Sequence, residues 1–158
     1  MQRGYFGAGV AHANTGFSSC VYLTECSVSG TRRGEKVSGG IRTNDPKVAF
    51  EGSIADLGTI SKNWTDVDLS AHSDTKRVVV ALGHLVGTVP ITEQFGVLGR
   101  IGAGLGHRDI VTGLGTGVKY DLSQKAGVWV EYERYFNFTE GPSFHTDLFS
   151  ASMVWYFR

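Results

Sequence analysis

Along most of the chain, large apolar residues occupy every second position. Phe95, Val97, Ile101, Ala103 and Leu105 alternate with Gln94, Gly96, Arg100, Gly102 and Gly104. Val48, Phe50 and Ile54 alternate with Ala49, Glu51 and Ser53, and Leu114, Thr116, Val118 and Tyr120 alternate with Gly113, Gly115, Gly117 and Lys119. The stretch VWVEYERYF (128–136) puts Val128, Val130 and Tyr132 on one side and Trp129, Glu131 and Glu133 on the other. Period two is the signature of a strand, and no segment of ten or more residues shows an i, i+3, i+4 apolar face. The pattern predicts an all-β chain of eight strands: Gly4 to Asn14, Lys36 to Thr43, Lys47 to Leu57, Thr75 to Val89, Glu93 to His107, Ile110 to Tyr120, Ala126 to Phe136 and Phe144 to Phe157.

The predicted connections alternate in length. Asn44-Asp45-Pro46, Pro90-Ile91-Thr92 and Asp121-Leu122-Ser123-Gln124 read as tight turns, while longer links are expected at about 15–35 and 58–74, a short one near His107 to Asp109 and a medium one near Asn137 to Ser143. Short links at one end and longer ones at the other, with both termini on the short side, describe an up-and-down meander closed into an antiparallel transmembrane β-barrel. In such a barrel the outer face meets lipid and the inner face can be polar, which explains how VWVEYERYF mixes large apolar side chains with carboxylates. Arg100, Lys119, Glu51 and Glu131, with Arg42 and Glu133, would then converge inside as a paired polar plug. Both phases of 78–86 are apolar, so the pattern does not place His84. Tyr5, Tyr120, Tyr132, Trp155 and Phe157 lie near strand ends and suit aromatic girdles at the two interfaces.

Composition sharpens this reading. The 158 residues include 22 glycines, about 14% and roughly twice the usual share, and inward glycines would leave room for long charged side chains in a narrow barrel. Fifteen basic residues balance fifteen acidic ones, so no net field draws nucleic acid to the chain. No apolar run approaches the ~20 residues of a membrane helix. Met1-Gln2-Arg3 leads straight into patterned sequence without a signal peptide, so the chain is expected to be either soluble and cytosolic or a mature form with an added start methionine. Cys20 and Cys26 lie in a Ser/Thr-rich stretch without a paired His; a small loop disulfide is favoured over free thiols, and zinc is not expected.

Residues 39–58, GGIRTNDPKVAFEGSIADLG, and 113–135, GLGTGVKYDLSQKAGVWVEYERY, resemble the second hairpin and the sixth and seventh strands of the OmpA-type outer-membrane barrels. The chain end, MVWYF, is similar to the terminal aromatic-rich strand of that family, although Arg158 follows where the family usually stops on the aromatic. The resemblance implies a bacterial outer-membrane location, contact with outer-membrane lipid and lipopolysaccharide, and delivery by the barrel-insertion machinery through the last strand. It also implies that Glu51 and Lys119 stand at inward charged positions of an internal salt-bridge network. Trp129 stands where the family has a basic residue, which implies a network wired through Arg100. The chain is read as one barrel domain without a following peptidoglycan-binding domain.

Candidate chemistry is sparse. Gly102-Ala103-Gly104-Leu105-Gly106 lacks the spacing and the following helix of a phosphate-binding loop. His12, His72, His84, His107 and His145 are scattered without metal-ligand spacing, and no cofactor is expected. His145 with Ser143 and Asp147, or His107 with Asp109, could imitate the outward group of a lipid-modifying barrel enzyme, but neither forms the expected H-x-S segment with a distant glutamate. No catalytic residue is assigned. A soluble lipocalin-like binder would reverse the inside and outside of the pattern. The expected function is envelope-structural and adhesive, with Tyr22 and Leu23 in the first loop and Trp64 in the second as contact residues for extracellular ligands; a narrow pore gated by the interior charges is the alternative.

Overall fold

The tight turns close as their residue types dictate. In a computed structural model, which describes residues 4–19, 25–65, 68, 70–106, 109–138 and 143–157, the Thr43 amide donates to the Val48 carbonyl at 2.9 Å, and Asp45 accepts the Lys47 amide through its side chain at 2.9 Å. Thr92 and Ser123 do the same at the next two turns, taking the amides of Phe95 and Ala126 on their hydroxyls. Each polar side chain thus satisfies a backbone donor that the turn would leave orphaned.

Between the turns run eight antiparallel strands: β1 (Gly4–Ser19), β2 (Glu25–Arg42), β3 (Val48–Thr65), β4 (Ala71–Pro90), β5 (Phe95–Gly106), β6 (Asp109–Asp121), β7 (Ala126–Phe138) and β8 (Ser143–Phe157). Each pairs with its sequence neighbour, and β1 closes on β8 over the register Gly4↔Phe157 to Ser19↔Ser143, giving a closed up-and-down barrel. Closure removes the free sheet edges that a hydrocarbon surround would leave unpaired.

The expected long links at about 15–35 and 58–74 are largely strand instead. Glu25 to Ser29 of β2 pair with Thr65 to Ser61 of β3, and β3 and β4 stay in register out to Thr65↔Ala71. The reason is solvent: beyond the bilayer both faces of a hairpin are wet, so the hydrogen-bond ladder continues after the apolar alternation that identifies a strand has ended. Asp56 and Gly58 mark the transition with a bulge, and Gly58 takes φ 77°, which a side chain would resist.

The alternation is reversed relative to a soluble barrel. Val10, Ile41, Phe50, Ile54, Val89, Ile101, Leu105, Leu114, Val130 and Phe149 are exposed on the outer wall, while Lys36, Glu51, His84, Arg100, Glu131 and Glu133 are buried within. On β8 the outer band runs through Phe149, Ala151, Met153, Trp155 and Phe157, roughly 20–25 Å once strand tilt is allowed for. His84, unplaced by the sequence pattern, points inward with Val80, Leu82 and Val86. Tyr120, Trp155 and Phe157 line the outer wall near the turns, and Phe6 stacks on Trp155 at 6.3 Å. Tyr5 is not a girdle residue: it occupies an inward position of β1 and is 2% exposed.

Candidate functional site

Inside the barrel the side chains form three layers. Toward the long-strand end, Leu57, Val80, Leu82, Val111, Tyr135 and Leu148 pack with small alanines into one apolar cluster. Toward the turn end, Tyr5, Val86, Leu98, Trp129, Val154 and Tyr156 form a second. The charged groups lie between them.

That middle layer is a continuous network. Arg100, from β5, donates Nη1 to Glu51 Oε1 at 2.6 Å, sits 3.1 Å from Glu133 Oε1 through the same nitrogen, and turns Nη2 to Glu131. Lys36, from β2, reaches Glu131 Oε2 at 2.9 Å and also pairs with Glu133. Tyr5 donates to the second oxygen of Glu51 at 2.8 Å, and Tyr135 donates to Glu133. His84 is wedged between carboxylates, Nδ1 4.0 Å from Glu51 and Nε2 4.0 Å from Glu133, with Ser53 Oγ 3.4 Å from Nδ1. Glycine makes the layer possible: a Cβ at Gly102 would overlap the His84 ring, and one at Gly115 would overlap Glu133 and crowd Arg100. A planar guanidinium suits the centre because its fork can serve three carboxylates at once.

Glu51, Arg100, Glu131 and Glu133 therefore meet, whereas Arg42 and Lys119 do not join them. Lys119 pairs with Asp121 at 2.9 Å near the turns, and Arg42 lies over the Tyr156 ring at 5.5 Å. Tyr156 donates to Asp121 at 2.5 Å and accepts from Trp129 Nε1 at 3.2 Å, so a smaller polar set closes the turn end of the lumen. The residue missed from the sequence is Lys36. It lies on the inward phase of β2 with Ser38 and Gly40, at the first position of the strand predicted over Lys36 to Thr43, and following the alternation of that strand from its first residue would have placed it inside.

Outside, a charged rim crowns the apolar band. Arg134 makes a two-pronged pair with Asp147, Nε to Oδ1 at 2.6 Å and Nη2 to Oδ2 at 3.0 Å, and Tyr132 donates to the same carboxylate at 2.8 Å. Asp147 is thus held by an arginine and a tyrosine, with the His145 side chain acting on it electrostatically, while the side chain of Ser143 lies outside the described residues. Above the rim, Trp64 stacks on His72 across the β3–β4 ladder, 5.3 Å apart and 18° from parallel. Tyr22, Leu23, Cys20 and His107 lie outside the described residues, as does the side chain of Cys26, and with them the proposed disulfide and first-loop contacts. Among the described residues no group of His, Cys, Asp and Glu could hold a metal ion.

No protein-family model matches the chain, and no curated protein matches it. Solved structures do. The chain is similar to Neisserial surface protein A, at TM-score 0.65 and 16% identity over 98% of this chain and 97% of that one. It is also similar to Ail, the attachment invasion locus protein of Yersinia pestis, crystallised with the heparin analogue sucrose octasulfate, at TM-score 0.53 and 14% identity over 98% and 99%. A third match is a de novo designed transmembrane β-barrel, at TM-score 0.52 and 9% identity. The fold is that of the small eight-stranded outer-membrane barrels.

Proposed function

We propose that this outer-membrane barrel is a non-conducting, non-catalytic element of the envelope that presents a raised sheet to extracellular surfaces. The observation that carries the reading is the length of β2, β3 and β4: β3 and β4 stay paired past a bulge far beyond the outward apolar band, out to Thr65↔Ala71, and β2 rejoins β3 over Glu25↔Thr65 to Ser29↔Ser61 after an interruption at 30–35. A hairpin needed only to cross a bilayer would stop about 9–11 residues after it began; β4 runs for 20. Ordered backbone beyond the membrane has a use when it holds contact residues in place, and the Trp64–His72 stack sits at its far end. The lumen supports the same view, because an ion-paired layer between two apolar clusters opposes the passage of water and ions. Neisserial surface protein A and Ail share the fold, and a fold alone leaves the ligand open.

The test pairs two measurements on the refolded protein. Vesicles carrying the intact barrel should attach to cell or matrix surfaces, or to a sulfated glycan of the kind seen with Ail. Vesicles carrying a variant with residues 60–75 replaced by a two-residue turn should not, while the heat-dependent gel shift of both stays the same. In planar bilayers the intact protein should be silent. Discrete openings abolished by Glu51→Ala or Arg100→Ala would support the gated-pore alternative, and equal attachment by the shortened barrel would remove the role of the raised sheet.

A further inference from the structure

Within the bilayer the ring has no open edge, but above it β4 has one. β4 meets β5 from Val80↔Gly106 down to Pro90↔Gly96, whereas it meets β3 all the way up to Thr65↔Ala71. Residues 71–79 therefore have β3 on one side and no paired strand on the other among the described residues. Hydrogen bonds at the opposite end of the strand fix which residues face the open side. The Thr88 amide donates to the Lys47 carbonyl on the β3 side, and the Ile91 amide donates to the Phe95 carbonyl on the β5 side. The bulge at 56–58 adds its extra residue to β3, so β4 alternates without a break. Its odd-numbered residues thus turn N–H and C=O away from β3, and Ala71, Ser73, Thr75 and Arg77 offer backbone donors and acceptors to the open side.

This edge carries its own complement. Asp74 and Lys76 stand either side of Thr75 on one face of β4, pair with each other at 2.8 Å, and keep their side chains 36% and 54% exposed. When a second such edge runs antiparallel with Thr75 opposite Thr75, the odd-numbered residues exchange hydrogen bonds, Asp74 falls opposite Lys76 of the second copy, and Lys76 falls opposite its Asp74. The neighbouring registers that keep the same hydrogen-bonding residues face to face set Asp74 against Asp74 or Lys76 against Lys76. Opposite charges directly across an antiparallel pair are favourable and like charges are not, so charge selects the register centred on Thr75.

We propose that the open edge of β4 is a homophilic contact, pairing antiparallel in this register with the same edge of a second copy of this chain that stands in a facing membrane. The inference rests on the raised sheet of the proposed function and names a partner for it. The contact is isologous, and the two-fold axis that relates the edges is normal to the sheet. Because the extension continues the barrel wall, that axis lies in the membrane plane and inverts the membrane normal. Copies in one bilayer are excluded by that symmetry, and copies in two opposed bilayers satisfy it. The register holds the two charged rims roughly 20 Å apart, given the strand rise and a barrel tilt of about 40°. One such edge is a weak contact, and many barrels per membrane supply the avidity.

The experiment follows, by light scattering, the clustering of phosphatidylcholine vesicles into which the full chain is reconstituted by detergent removal, so that a share of the barrels point their extensions outward. Parent vesicles should cluster with one another. Asp74→Lys alone and Lys76→Asp alone each set like charges opposite, so each should lose clustering with itself. A mixture of those two vesicle populations should cluster, and so should the double exchange Asp74→Lys with Lys76→Asp. Thr75→Pro removes an N–H from the open side only, a place where an edge strand tolerates proline, and should abolish clustering. Every variant is checked for the heat-dependent gel shift of the parent. Parent vesicles that stay dispersed, clustering retained in either single exchange, or a mixture that stays dispersed would overturn the homophilic contact. Attachment of such dispersed parent vesicles to cell or matrix surfaces would show that the raised sheet still serves other partners, which separates failure of this inference from failure of the reading beneath it.

Discussion

At the residue scale, Arg100 is the hinge of the interior. It serves Glu51, Glu131 and Glu133 together, and among the described residues Lys36 is the lysine that shares this layer with it. Removing Arg100 leaves three buried carboxylates facing a single lysine, and breaking a buried ion pair by deleting one partner costs about 3–5 kcal/mol. Arg100→Met should therefore lower the temperature at which the barrel loses its folded gel mobility. The double variant Arg100→Met with Glu131→Gln should recover part of the loss, because it removes charge of both signs. If Arg100→Met unfolds at the temperature of the parent, the layer does not stabilise the barrel. The same scale shows where sequence reading succeeds and fails. Glu51, Glu131, Glu133 and Arg100 were legible because each occupies the position opposite the apolar face of a clean alternation. Tyr5 was misread as an interfacial aromatic because amphipathic tyrosine suits either surface, and only the register of β1, with Tyr5 opposite Gly40, shows that it turns in toward Glu51.

At the element scale, the bilayer divides each long strand into two regimes. Within it, outward positions are apolar and inward positions polar or small; above it, polar residues stand on both faces, Ser61 and Asn63 opposite Thr75 and Ser73 on one and Asp74 and Lys76 of β4 on the other. Period two is informative only where the two faces meet different media, which is why the upper parts of β2 and β3 and the first four residues of β4, 71–74, read as loops. The β3–β4 extension has few large side chains to hold it, so the Trp64–His72 stack matters more there than it would in a core. Such a ring pair contributes about 0.5–1.5 kcal/mol. Trp64→Ala should speed amide hydrogen exchange at 60–65 and 71–76 while leaving 80–90 unchanged. Equal exchange in the two proteins would show that the backbone ladder alone orders the tip.

At the scale of the whole molecule, strand number, turn ends and the polarity of the lumen followed from alternation and turn chemistry, while the separation of the lumen into an ionic layer between two apolar ones did not. That layering depends on how registers bring distant residues to one height, such as Lys36 of β2 beside Glu131 and Glu133 of β7, and a one-strand pattern carries no such information. Three tryptophans sample the result: Trp155 is on the outer wall at 45% exposure, Trp129 is in the lumen at 3%, and Trp64 stands on the extension above the band. Single-tryptophan variants in vesicles of chain-brominated lipid test the central claim directly, because bromine quenches indole fluorescence at short range. The account predicts strong quenching of Trp155, weaker quenching of Trp129, and for Trp64 a response mainly to an aqueous quencher. Bromine quenching of Trp129 at or above that of Trp155 would mean that the lumen face meets hydrocarbon, and the inside-out barrel described here would be wrong.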